Sequence, residues 1–195
     1  MSNKIIDQHE NPVDLYLLKI VDVINPVLYA TGHTPNLITT YSFICGLASV
    51  YCLYRHHIPG FVIFLFFSYF FDCVDGSFAR KYSMVSRFGD IYDHITDALV
   101  LLLFAVLIYT RYRTLISRWT LLVFLLLLAL MCCHLGCQQK NCVAESCVDG
   151  ESLNCLKLLC RNPEWIHCTK FFGTGTFFVF LAGLCIVYER KLGNL

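Results

Sequence analysis

The chain has 195 residues, 57% hydrophobic and 15% charged, with a net charge of +1 and a mean hydropathy of +0.60. A soluble domain of this length cannot bury so much apolar surface, which excludes the ordinary globular class. The near-neutral charge balance gives no basis for nucleic-acid binding, so no nucleic-acid partner is expected.

The N-terminal stretch carries Asp7, Glu10, Asp14 and Asp22 and lacks a compact apolar core followed by a small-residue cleavage site, so no secretory signal is expected. Val13–Ile24 mixes Leu, Ile and Val with Asp14, Lys19 and Asp22. That pattern suits an amphipathic helix lying in the membrane interface, and equally an ordinary surface helix; the apolar chain around it favours the interface. Residues 1–33 therefore read as a cytosolic or interfacial segment of a single membrane domain covering residues 1–195.

Thr34-Pro35-Asn36 opens a helix. Apolar segments follow at about Leu37–Tyr54, Ile58–Phe71, Ile91–Thr110, Leu115–Leu135 and Phe171–Tyr188. Each approaches the roughly 20 residues that cross about 30 Å of hydrocarbon. Each must be helical, because hydrocarbon offers nothing to satisfy an open backbone. The stretch 138–170 breaks the series: it is polar and rich in cysteine, with Leu153–Leu159 as a short apolar candidate. It reads as a cytosolic loop carrying a short helix over the site.

Most of the 12 cysteines fall between Cys132 and Cys168, Cys147 among them, and no pair has the C-x-x-C spacing of a zinc ribbon. In a cytosolic loop they are expected as free thiols packed like small apolar residues. The orientation follows from the acidic segment Asp72–Asp97, set with the N-terminus on the cytoplasmic side, and only weakly from charge. Lys4, Lys19, Arg80, Lys81, Arg87, Lys140, Lys157, Arg161 and Lys170 fall on the side of the N-terminus; Arg55, Arg111, Arg113, Arg118, Arg190 and Lys191 fall on the other. The positive-inside rule favours a cytoplasmic place for the first set by a small margin.

Chemistry concentrates between Asp72 and Asp97. The second apolar segment runs into Asp72, Asp75, Gly76, Ala79 and Arg80; Gly89, Asp93 and Asp97 follow across a short turn around Lys81–Arg87. At about 100° per residue, Asp72, Asp75, Gly76 and Ala79 share one arc of a helix. Gly89, Asp93 and Asp97 recur at i+4 steps along one face of the next. Two acidic faces that meet beside a membrane need cations to hold them together. Oxygen-only ligands select hard ions, so Mg²⁺ or Mn²⁺ is the expected cofactor. Gly76, Ala79 and Gly89 are small where bulk would block a ligand, and Arg80 offers a fork of donors suited to a phosphate.

These residues spell D-x2-D-G-x2-A-R-x8-G-x3-D-x3-D, and the chain resembles the CDP-alcohol phosphotransferase (CDP-alcohol phosphatidyltransferase class-I) family, whose pattern this is. Eight fixed positions at average residue usage coincide by chance roughly once in 10¹⁰ windows. The resemblance implies an all-α polytopic membrane bundle with six transmembrane helices and an N-terminal interfacial helix. The hydropathy shows five, so five to six are expected. It implies attack of an alcohol hydroxyl on the β-phosphorus of a CDP-linked substrate, with CMP leaving. Asp72, Asp75, Asp93 and Asp97 are implied as metal ligands and Asp97 also as the catalytic base. Gly76, Ala79, Arg80 and Gly89 are implied to receive the cytidine nucleotide. Asn36 and Thr39, in a P-N-x-x-T context similar to the family's, are candidates for the same pocket, although Pro-Asn also simply starts helices. Partners implied are a CDP-linked lipid or alcohol, membrane lipids and a second copy of the chain.

Two cues pull apart on the substrate. The short chain resembles enzymes that join CDP-diacylglycerol to a small polar alcohol such as inositol, serine or glycerol phosphate. The Tyr92-Asp93-His94 context and Ala98 after Asp97 are similar to choline and ethanolamine phosphotransferases. The first reading is taken as primary, at a cytoplasm-facing site, in the endoplasmic reticulum of a eukaryotic host. An acidic cation transporter would explain the carboxylates but not the Gly, Ala and Arg at fixed offsets. A redox or metal-storage protein centred on the cysteines would leave the aspartates unexplained.

Overall fold

The first five helices each start at a residue whose side chain accepts a hydrogen bond from its own first turn. Asn11 caps α1 (Pro12–Ala30), Thr34 caps α2 (Pro35–Tyr54), and His57 caps α3 (Ile58–Lys81). Ser86 caps α4 (Arg87–Tyr112) and Ser117 caps α5 (Arg118–Lys140). Such caps satisfy backbone donors that a helix start leaves unpaired. In α1, α2 and α3 a proline occupies the first turn, where its missing N–H costs nothing. The computed structural model describes residues 9–142 and 154–193 and continues with α6 (Ile166–Thr169) and α7 (Thr174–Gly193). Lys4, Asp7, Cys147 and the start of the Leu153–Leu159 candidate lie outside the described residues.

The chain is 85% helical, with no strand among the described residues. Among the described residues, five segments are long and apolar enough to cross a membrane: α2, α3, α4, α5 and the stretch Pro163–Leu192 that contains α7. Each runs past its expected segment at one end or both, because helices continue beyond their hydrocarbon-spanning portion into polar residues, although α5 starts at Arg118 rather than Leu115. The second segment thus continues unbroken as α3 through the Asp72–Lys81 half of the motif.

Helices α2 and α3 form a hairpin, turned by Arg55–His57 with His56 at a positive φ of 59°. They are stitched by hydroxyls: Ser42 Oγ donates to the Ser68 carbonyl at 2.8 Å and Ser49 Oγ to the Phe61 carbonyl at 3.0 Å. Gly46 permits α4 to approach the pair, since a Cβ there would stand 2.8 Å from Val100 Cγ2. Small residues at such crossings are how helices pack where lipid removes the hydrophobic drive to associate.

Two apolar clusters divide the bundle along its length. One joins Leu17 and Val21 of α1 to Ile38 of α2 and to Tyr69, Phe70, Val74 and Phe78 of α3. The other joins Leu53, Phe61, Leu65, Val100, Phe104, Leu181 and Cys185. The first cluster seats α1 across the motif-bearing end of α3. Tyr16, Val23 and Val27 of α1 remain exposed, so this helix is apolar on its outer side as well, as an interfacial helix should be.

The stretch 138–170 differs from its expected form at its start, where Gln138–Lys140 belongs to α5 rather than to a loop. Further on, Asn154–Leu159 forms a 3₁₀ helix against α5. The free-thiol expectation is corrected too: Cys137 and Cys160 are joined by a disulfide. Gly136 makes this possible, because a side chain there would strike the backbone of Leu156. The pairing spans 23 residues, and no local spacing rule detects it. Cys45, Cys52, Cys73, Cys132, Cys133, Cys155, Cys168 and Cys185 are free.

Candidate active site

The end of α3 and the start of α4 are joined by residues 82–86, a connection short enough to hold the two acidic faces together. One oxygen each from Asp72, Asp75 and Asp93 lies within 4.8 Å of the others. Thr39 of α2 fixes one of them, its Oγ1 donating to Asp75 Oδ2 at 2.6 Å. His94 fixes another, with Nδ1 at 3.2 Å from Asp93 Oδ2. Asp93 Oδ1 is buried with no hydrogen-bond partner. Asp97 lies within hydrogen-bond reach of the Asp72 carboxyl, off the cavity wall.

Carboxylates this close repel one another unless a cation or shared protons intervene. Three convergent carboxylate oxygens and an orphaned fourth acceptor fit a hard divalent ion such as Mg²⁺ or Mn²⁺. Asp72, Asp75 and Asp93 are the residues that would hold it.

A cavity of about 280 Å³ opens beside the cluster. Its walls include Asn36, Thr39, Gly76, Ala79, Arg80 and Gly89, so every nucleotide-site candidate borders one space. Gly89 is required small: a Cβ would lie 3.0 Å from Asn36 Oδ1. At Gly76 a Cβ would meet the Arg80 guanidinium at 3.3 Å. Both glycines therefore bring backbone close to whatever occupies the cavity.

The opposite wall holds residues that sequence reasoning missed. Glu10 and Asp14 come from the N-terminal segment, and Gln138 and Gln139 from the last turn of α5. All four are buried. Gln138 Nε2 donates to Glu10 Oε1 at 2.8 Å, and the Tyr69 hydroxyl donates to Asp14. Burial pushes the Asp14 carboxyl up to about 6, against the opposing pull of its bonds from Tyr69 and the Gly175 backbone. The available signal was the Gln138-Gln139 pair, two amides ending an otherwise apolar helix.

A family model described as CDP-alcohol phosphatidyltransferase matches residues 32–188. The chain is similar to the CDP-diacylglycerol–serine O-phosphatidyltransferase of Bacillus subtilis (strain 168), 36% identical over 85 residues, which cover 40% of this chain and 48% of that protein. It is similar to the CDP-diacylglycerol–inositol 3-phosphatidyltransferase of Candida albicans, 32% identical over 96 residues, covering 48% of this chain and 40% of that one. An uncharacterized CDP-alcohol phosphatidyltransferase class-I family protein of Dictyostelium discoideum is 32% identical over 102 residues, covering 47% of this chain and 25% of its own. The matches thus span half or less of each relative's length. No solved structure matches the chain.

Proposed function

Because the chain belongs to the CDP-alcohol phosphatidyltransferase family, we propose that it transfers a phosphatidyl group from CDP-diacylglycerol to a small polar alcohol, releasing CMP. The observation that carries this reading is the convergence of Asp72, Asp75 and Asp93 within 4.8 Å on the wall of a cavity. The cavity sits at the end of helices long enough to span a membrane, where a lipid-linked donor can reach it.

In the reaction, a bond forms between the acceptor oxygen and the β-phosphorus. The bond from that phosphorus to the oxygen of CMP breaks, and CMP leaves with the electron pair. Such transfer depends on positioning and charge neutralisation more than on covalent work by the protein. A divalent ion held by Asp72, Asp75 and Asp93 would neutralise the diphosphate and stabilise the leaving group. Thr39 and His94 hold Asp75 and Asp93 in place. Arg80 receives a phosphate, and Gly76, Ala79 and Gly89 admit the cytidine nucleotide beside Asn36. Asp97, one turn beyond Asp93, accepts the proton of the attacking hydroxyl.

The protein is an integral, multi-pass membrane enzyme of phospholipid synthesis in this reading. Its site faces the cytoplasm, on the side favoured by the basic residues, and a second copy of the chain is its expected partner in the bilayer. CMP release by the purified protein tests the reaction. Product from CDP-diacylglycerol and an alcohol is expected with Mg²⁺ or Mn²⁺. Product only from CDP-choline or CDP-ethanolamine with diacylglycerol would reverse donor and acceptor and replace this reading.

A further inference from the structure

The end of the bundle remote from the aspartates is strongly basic, and the transfer reaction makes no use of it. Residues 54–58, 109–119 and 188–193 hold Arg55, Arg111, Arg113, Arg118, Arg190 and Lys191 against one carboxylate, Glu189. Glu189 is 8% exposed and its charge is already matched. Arg111 Nε stands 3.0 Å from Glu189 Oε1, the Tyr112 hydroxyl donates to the same oxygen, and His56 Nδ1 lies 2.8 Å from Oε2. Arg111 Nη1 also donates to the Leu53 and Tyr54 carbonyls at 2.9 Å, closing the end of α2. Arg111 and Glu189 thus neutralise each other while tying together α2, α4 and α7.

Beside this pair opens a cavity of about 640 Å³, which His56 and Arg111 help to line. Its lining combines Arg55 and Tyr54, both exposed, with the apolar side chains of Leu107 and Leu192. Among the described residues, neither the Arg55 guanidinium nor the Tyr54 hydroxyl has a hydrogen-bond or ion-pair partner. A free guanidinium fork and a phenol hydroxyl suit the oxygens of a phosphodiester. Leu107 and Leu192 suit a hydrocarbon chain. The cavity lies where the spanning helices end, and Tyr54, Tyr109 and Trp119 are exposed there, as aromatic residues at a membrane–water boundary are. A zwitterionic headgroup would bring its own cation into this basic field, whereas a net anionic one is attracted by it.

We propose that this cavity seats one anionic phospholipid from the leaflet opposite the catalytic aspartates. Its phosphate rests on Arg55 and Tyr54, and one acyl chain runs along Leu107 and Leu192. The site stands apart from the transfer reaction and does not depend on which donor or acceptor reacts.

The test is native mass spectrometry of the full chain in detergent, titrated with phosphatidylglycerol or phosphatidylcholine. The first phosphatidylglycerol should bind with a Kd about tenfold below that of phosphatidylcholine. Arg55→Gln should weaken it about fivefold, and Arg55→Lys should recover part of the loss. Arg118→Gln removes a charge at the same end but off the cavity, and Asp93→Asn alters the aspartate cluster; both should leave the Kd within about twofold. Equal affinity for the two lipids overturns the anionic preference. Equal losses in Arg55→Gln and Arg118→Gln reduce the effect to a diffuse surface field and overturn the seat. A change in Asp93→Asn with none in Arg55→Gln places the lipid among the aspartates instead. Displacement of the lipid by millimolar inorganic phosphate would make the ligand a free anion and overturn the lipid assignment.

Discussion

Thr39 Oγ1 donates a 2.6 Å hydrogen bond to Asp75 Oδ2, linking the second turn of α2 to the aspartate cluster on α3. Thr39 is 3% exposed, so water cannot replace it. A hydrogen bond to a charged group is worth about 1.5–3 kcal/mol. Thr39→Val keeps the volume and deletes the bond. It should raise the Mg²⁺ concentration for half-maximal CMP release by about tenfold or more, and Thr39→Ser should restore it. An unchanged Mg²⁺ titration in the valine variant would mean that Thr39 has no part in orienting Asp75.

Asp93 and Asp97 stand one helical turn apart on α4, and each is assigned a separate task. Asp93→Asn removes a charge from the converging oxygens, and Asp97→Asn removes the proton acceptor. Each should cut CMP release by about 10²-fold or more while leaving the thermal midpoint within a few degrees. Near-normal turnover in either variant would show that its assignment is wrong.

Gly89 leaves room for Asn36 at the cavity wall, where a Cβ would stand only 3.0 Å from Asn36 Oδ1. Gly89→Ala displaces the amide slightly, and Gly89→Leu fills the space. KM for CDP-diacylglycerol should climb in that order, which a titration of initial rates reads directly. A flat series would remove the nucleotide from this wall.

Asp14 offers a pH prediction of opposite sign to the usual surface carboxylate. Its folded-state value is raised from 3.8 to about 6 by burial. The folded protein therefore holds this proton more tightly than the unfolded chain does. The resulting stability is fully present below the unfolded value and is lost as pH rises through about 6. The span corresponds to about 3 kcal/mol. Wild-type thermal stability should fall between pH 4 and pH 6, and Asp14→Asn should flatten that slope. An identical slope in the variant would mean that another group sets it.

The Cys137–Cys160 bridge closes a 23-residue segment. By loop entropy such a link contributes about 3 kcal/mol. Cys160→Ser should lower the thermal midpoint by several degrees in oxidised protein and by nothing once the wild type is reduced. Equal midpoints before reduction would mean that the bridge carries no stability.

The five spans and the acidic motif were legible in the sequence because both are local. Hydropathy needs a window of one helix, and Asp72, Asp75, Asp93 and Asp97 sit on adjacent helices whose period fixes their facing sides. What escaped was assembled across distance. Thr39 reaches Asp75 over a separation of 36 residues and Gln138 reaches Glu10 over 128. Periodicity carries no trace of such pairs. Asp14 looked like the polar side of an interfacial helix, and only the docking of that helix across α3 turned that side into a cavity wall. The cysteines misled for the same reason: free thiols and a bridged pair have identical spacing, and only the fold of Asn154–Leu159 against α5 decides between them.

Cys137 immediately precedes Gln138, whose amide borders the cavity. The bridge and the reaction chamber therefore share one side of the bilayer, and sulfur chemistry becomes a reporter of catalytic sidedness. In sealed vesicles, an impermeant reductant that opens the Cys137–Cys160 link acts from the compartment into which CMP is discharged. If that compartment is a glutathione-poised cytosol, the link stays open in the living cell and closes only under oxidative load. A link found closed in freshly broken cells would instead put the headgroup chemistry on the non-cytosolic leaflet, and newly made lipid would be delivered there first.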